Sequence, residues 1–213
     1  KGQGNDNFAA LKGKPIMISA DTRVGWWNFL KAKFGYTDNQ IRPYTFNLAP
    51  FLSDKKAIQQ GFLGSEPFSI REQAKEDPNV MLIADAGFTG YGGLIATSDK
   101  RIKEQPDQVK RFVEASILGW YSYLNGDPSA ANALIKKDNP QMEDELIAYG
   151  IRKMKEYSLV SGGDATAQGL LTMSDDRWRR TREFMVSSKL LKAETDVSRG
   201  YSLDIVRSVK VLP

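Results

Sequence analysis

Three short stretches carry residue types suited to holding a small molecule. The first is Ala20-Asp21-Thr22-Arg23-Val24-Gly25, which joins an apolar run to a helical pattern. A helix start offers unpaired N–H groups and the positive end of the helix dipole, a setting for a carboxylate, phosphate or sulfonate. Asp21 or Thr22 can equally serve as a helix cap, and both roles fit in one turn. Trp26 and Trp27 follow. Adjacent helical positions point about 100° apart, so one indole can face a cleft while the other is core, or both can be core. The second stretch is Gly61-Phe62-Leu63-Gly64-Ser65-Glu66-Pro67-Phe68. Here Glu66 is expected at the end of a strand, and ligands of open α/β sheets collect beyond the carboxyl ends of strands. Its carboxylate can accept hydrogen bonds from an amine or aminopyrimidine, or lie in a surface turn. As a cleft residue its loss should weaken binding and leave stability nearly unchanged. The third stretch is Gly87-Phe88-Thr89-Gly90-Tyr91-Gly92-Gly93. Its glycines allow close backbone approach or a sharp bend between lobes. Phe88 and Tyr91 offer flat surfaces for stacking.

The chain has no histidine and no cysteine. The commonest general base, the commonest metal ligand, thiolate chemistry and disulfides are therefore all missing. That shifts expectation from catalysis to binding, with no catalytic residues, no metal and no cofactor. The net charge is +4. The densest basic group is Arg177, Arg179, Arg180 and Arg182, interleaved with Asp175, Asp176 and Glu183. That pattern reads as a solvated helix face and not as a nucleic-acid patch.

The elements that must position these stretches can be read from periodicity. Strands are expected at Pro15–Ala20, Arg42–Phe46, within Gly61–Phe68, at Val80–Asp85 and at Leu94–Thr97. Helices are expected at Gly25–Phe34, Leu48–Gln60 and Ser69–Glu76. After Ser98 the pattern turns helical. Pro106 suits a first helical position, and Val109, Phe112, Val113, Ile117, Trp120, Tyr121 and Leu124 follow at helical spacing, ending at Asn125-Gly126-Asp127-Pro128. Further helices are expected near Ser129–Lys137, Met142–Tyr157, Asp175–Ser188 and Ser202–Val209. A βα first half followed by helices with few strands of their own suggests that a second sheet lies outside these residues.

In this order the stretches resemble the NMT1/THI5-like group of ABC-transporter substrate-binding proteins. Leu11-Lys12-Gly13-Lys14-Pro15-Ile16 resembles the group's entry to its second lobe. Gln59-Gln60-Gly61-Phe62 through Phe68 is similar to a glutamine-rich segment ending in Glu-Pro-Phe. Leu94–Ser98, Asp107–Tyr123 and Met173–Trp178 resemble the returning strand, the long helix and the late helix. Members carry a further segment before the first of these, so the resemblance implies that the first half of lobe one is absent here. It implies a type II periplasmic-binding-protein fold, two α/β lobes with a ligand cleft between them. Residues 12–92 would form lobe two, and 93–213 the return to lobe one with its C-terminal helices. It implies a monomeric, periplasmic or lipoprotein-anchored component of an ABC importer. Such a component binds a pyrimidine-, vitamin-precursor- or sulfonate-like molecule and passes it to the permease. The candidate ligand-binding residues are Asp21, Thr22, Arg23, Trp26, Ser65, Glu66, Phe88 and Tyr91, with Glu66, Thr22 and Tyr91 expected in one cavity. The alternatives are a THI5-like pyrimidine-synthesising enzyme, whose relatives consume a histidine that this chain lacks, or a ligand-sensing domain of a regulator.

Overall fold

The computed structural model describes residues 4–209. It is helix-rich α/β with one small parallel sheet. Strand β1, Ile16–Ile18, pairs in parallel with β2, Ile41–Pro43, with Ile16 opposite Ile41 and Ile18 opposite Pro43. Parallel strands need a crossover, and helix α1, Trp26–Phe34, supplies it. Ile16 and Ile18 share one buried face, as the two-residue period of a strand requires. Gly35 ends α1 at φ 67°, where a glycine pays no Cβ penalty, and its N–H reaches Lys31 O at 3.0 Å.

The chain folds into two units. Among the described residues the first comprises 4–89 and 181–193, the second 90–180 and 194–209.

The first unit is built on Leu11, Ile16, Ile18, Trp27, Leu30 and Tyr36. Trp27 is 1% exposed and stacks at a tilt on Tyr36, 5.5 Å between ring centroids. Its indole N–H donates to Asp38 Oδ1 at 2.9 Å, and Lys31 Nζ lies 3.0 Å from the same oxygen. Buried Gln40 donates to the carbonyls of Leu11 and Lys14, tying the entry to β1 to the turn before β2. Asp38 is held below the usual carboxylate range, chiefly by the Trp27 hydrogen bond and then by Lys31. The folded chain therefore takes up that proton less readily than the unfolded chain. The resulting stabilisation is present above the ordinary Asp value of about 4. It is lost as pH falls through the lower folded value. Asp38→Asn should flatten the acid limb of Tm plotted against pH, and an unchanged limb would contradict this account.

Several expected elements are replaced. The helix expected over Leu48–Gln60 is only α2, Ala49–Ser53. The chain turns at Asp54, whose carboxylate accepts the Lys56 N–H, and residues 58–60 then run beside β1. Met17 N donates to Ile58 O at 2.8 Å, and Gln60 N to Met17 O at 2.9 Å. Pairing with the open edge of β1 outweighs helical continuation there. No strand forms in Gly61–Phe68; helix α3, Glu66–Ala74, begins inside it, with Pro67 in the first turn. Val80–Asp85 and Leu94–Thr97 are not strands either. Around Val80–Asp85 the backbone donors of Asp85, Ala86, Gly87 and Phe88 close tight turns on Leu82, Ile83 and Ala84 and so have no ladder to join.

The second unit contains helices α4, Asp99–Glu104; α5, Pro106–Asn125; α6, Ser129–Asp138; α7, Asp144–Glu156; and α8, Asp164–Gln168. Helix α9, Asp175–Ser187, starts in this unit, and α10, Asp204–Ser208, lies within it. Val113 and Ile117 of α5 pack with Leu170 in a second core, which Trp120, Tyr121 and Ile205 flank. Phe112, expected on that stripe, is instead 61% exposed. Val109, Val113, Ile117 and Leu124 share one arc of the helix, and position 112 falls outside it. Among the described residues no helix is long and apolar enough to cross a membrane.

Candidate functional site

The first unit contains a cavity of about 990 Å³. That is near the upper end of the range for small-molecule sites, roughly 300–1,000 Å³. One wall is the turn after β1. Ala20 is followed by a single 3-10 turn, Asp21–Val24, and Gly25 precedes α1. Neither Asp21 nor Thr22 caps α1; the cap position is Gly25, with no side-chain hydrogen bond. Asp21 is exposed, and Thr22 is 8% exposed.

Thr22 is held from below. Its hydroxyl donates to Gln60 Oε1 at 2.8 Å. The same oxygen accepts the Ser19 N–H at 2.8 Å, and Gln60 Nε2 donates to Ser19 Oγ at 3.1 Å. Ser19 and Thr22 hydroxyls lie 3.0 Å apart. Gln60 thus continues the sheet's hydrogen bonding past the end of β1 with its side chain, and it fixes the shape of this wall. Ser19 and Gln60 were not among the expected site residues. Their signal was available only as polar positions flanking a strand end.

The lining also includes Glu66. It is the first residue of α3, and not the last of a strand. Its Oε2 accepts the Phe62 N–H at 2.8 Å and the Ser65 hydroxyl. Its Oε1 accepts the Tyr44 hydroxyl at 3.1 Å. Tyr44 is buried, and its hydroxyl is pushed up to about 12, by burial first and then by the Glu66 charge and hydrogen bond. Gln59 lies close enough to that hydroxyl to oppose the rise. Both Gln59 amide atoms are shut off from solvent. Glu66 therefore closes the Phe62–Ser65 turn and anchors Tyr44. These three bonds argue that its loss lowers stability, against the expectation of nearly unchanged stability.

Of the expected site residues, Asp21, Thr22, Trp26 and Glu66 line this one cavity. Arg23 and Ser65 do not: Arg23 is exposed, and the Ser65 hydroxyl is spent on Glu66. Phe88 does not line it either. It packs on Phe29 at 5.5 Å and on Phe184 at 6.0 Å. Tyr91 belongs to the second unit. There its hydroxyl donates to Asp164 at 2.6 Å and accepts the Ser174 N–H at 2.9 Å. The Arg177 guanidinium sits 4.1 Å above its ring, and Trp178 lies between it and Tyr201. Burial, then the bond to Asp164, raises the Tyr91 hydroxyl above its ordinary value. Arg179 and Arg180 pair with Asp176 along α9.

The cavity mixes apolar walls, such as Ile58, Leu63 and Ile83, with aromatic rings at Trp26, Phe46 and Phe62 and with a few fixed polar groups. Such a mixture suits a flat, partly polar organic molecule. Among the described residues no group of three or more His, Cys, Asp or Glu is placed to hold a metal ion.

Comparison with known proteins gives one family and one curated relative. The family described as "NMT1/THI5 like" matches residues 1–131. The riboflavin-binding protein RibY of Chloroflexus aurantiacus is 31% identical over 159 residues, 74% of this chain and 44% of that protein. The chain thus spans less than half the length of that relative. No solved structure matches significantly.

Proposed function

The chain belongs to the NMT1/THI5 like family, and from that premise we propose that it is part of the solute-binding component of an ABC importer, taking a flavin-like ligand. The reading includes a type II fold, of which residues 12–92 form one lobe, an extracytoplasmic location, and delivery of the ligand unchanged to a permease. The observation that carries it is the cavity walled by Trp26, Phe62, Thr22 and Glu66, with aromatic faces beside a small set of fixed polar groups. A tricyclic heteroaromatic presents a complementary flat face and polar edge. The likeness to a riboflavin-binding protein supports flavin over a pyrimidine or a sulfonate. Binding needs no acid–base pair, in keeping with a chain without histidine or cysteine.

The test is titration of riboflavin with the chain, followed by quenching of flavin fluorescence. Saturable quenching is expected, with the flavin recovered unaltered on denaturation. At 100 times its Kd, riboflavin should add ~2.7 kcal/mol to unfolding stability. No quenching and no shift in Tm, in contrast to a response to an aminopyrimidine or a sulfonate, would overturn the flavin assignment. A chemically changed flavin would overturn the assignment to transport.

A further inference from the structure

Between β2 and α2 the backbone of Phe46 lies in the left-handed region, at φ 62°. For a bulky side chain that conformation is an outlier, because Cβ crowds the following carbonyl oxygen. Glycine adopts it freely and asparagine tolerates it. Burial of the ring does not offset the strain, since Phe46 is 64% exposed. One flank of the ring meets Tyr44, at 5.2 Å between centroids and 50° between planes. Tyr44 is itself buried, and its hydroxyl is tied to Glu66 at 3.1 Å. Phe46 also lines the cavity, together with Trp26 and Phe62. A strained backbone persists only where the surrounding structure enforces it, and such residues gather at ligand sites. Here the strain holds a large apolar ring out of the core and at the cavity.

We infer that Phe46 is the aromatic face on which the bound molecule stacks, and that the left-handed turn is kept in order to present it. This rests on the binding reading above and names a residue that sets its specificity. A flat heteroaromatic stacks in offset fashion on a benzene ring and covers its exposed face. An aliphatic sulfonate has no such face to offer, so Phe46 favours the flavin class over it. Tyr44, anchored by Glu66, supports the ring from behind. A phenylalanine has few torsions to freeze, and this one is aimed before the ligand arrives, so little freedom is lost on binding. The two roles of the residue pull in opposite directions. Removing the side chain relieves the backbone and takes away the stacking face, so stability and affinity should part company there.

The experiment measures riboflavin affinity by flavin quenching, and Tm without ligand, on the unaltered chain and on Phe46→Gly, Phe46→Leu and Phe46→Tyr. Phe46→Gly should bind riboflavin about tenfold or more weakly, while its Tm without ligand stays level or rises. Phe46→Leu keeps apolar bulk and the strained backbone but loses the aromatic face, and should bind about fivefold more weakly. Phe46→Tyr keeps the face and should bind within a factor of about two of the parent. Equal affinities in the parent, Phe46→Gly and Phe46→Leu would overturn the inference while leaving flavin binding intact. So would a marked fall of Tm in Phe46→Gly, since the ring would then be kept for stability. If riboflavin does not bind the unaltered chain at all, the flavin reading falls and this inference with it. The contrast of Phe46→Leu with Phe46→Tyr leaves the backbone demand unchanged, so poor folding of Phe46→Gly does not stop the test.

Discussion

Trp27→Ala should cost about 3–5 kcal/mol, the usual range for deleting a large aromatic from a core. The indole is 1% exposed and lies among Ile16, Ile18, Leu30 and Tyr36. Its removal leaves a void that these neighbours, held by a strand and a helix, cannot fill by collapse. It also takes away the N–H that binds Asp38 at 2.9 Å, and with it the first cause of that carboxyl's lowered pKa. Trp27→Phe should cost less, because the ring stays and only the outer volume and one partly exposed hydrogen bond are lost. Urea unfolding of both variants, followed by far-UV circular dichroism, measures the difference. A Trp27→Ala variant within about 1 kcal/mol of the parent would mean that this residue is not the centre of the first unit's core. The consequence for binding is indirect but large. Trp26 precedes Trp27 on α1 and lines the cavity, so a helix that loses its anchor also misplaces that wall.

The β1–α1–β2 unit was legible from the sequence because its signals are local and agree. Pro15–Ala20 is a short apolar run of strand length, the pattern from Trp26 to Phe34 has a helical period, and Gly35 stops it. Pro106 likewise marks the true start of α5. Where the reading failed, tertiary pairing or turn chemistry decided the outcome. Val80–Asp85 is an apolar run whose composition suits a strand, but nothing in it says that its backbone will close into turns. Glu66-Pro67 is compatible with both a strand end and a helix start, since proline is at home in either. The cavity was half legible. Asp21, Thr22 and Trp26 were read correctly from a strand followed by a helix start, whereas Glu66 was read from a strand end that proves to be the first residue of α3. The different surroundings of Gln59, beside Tyr44, and Gln60, on Ser19 and Thr22, were not legible, because two identical neighbours are told apart only by the tertiary contacts each makes.

Glu66→Ala should lower stability in the absence of any ligand, by about 2–3 kcal/mol. Hydrogen bonds to a charged group contribute roughly 1.5–3 kcal/mol each, and bonds that share one carboxylate do not add fully. Three donors lose their acceptor at once: the Phe62 N–H, the Ser65 hydroxyl and the Tyr44 hydroxyl. The last matters most, since Tyr44 is buried and cannot turn to water. The local geometry is close as well: a Cβ on Gly61 would stand 3.0 Å from Glu66 Cβ, so the turn is folded tightly over the side chain that closes it. Glu66→Gln is the discriminating companion. Its carbonyl oxygen, placed where Oε2 lies, can keep the Phe62 N–H and the Ser65 hydroxyl, and its NH2 cannot accept from Tyr44, so its stability should fall between those of the parent and Glu66→Ala. The readout is the urea midpoint at constant m value, which reports stability without a change in exposed surface. A Glu66→Ala chain as stable as the parent would show that the carboxylate is not holding the turn. Glu66 would then return to being a free acceptor in the cavity. If stability falls as expected, weaker riboflavin binding in Glu66→Ala alone says nothing about ligand contact, because the wall itself has loosened. Only a loss in Glu66→Gln larger than its loss of stability would place the carboxylate against the ligand.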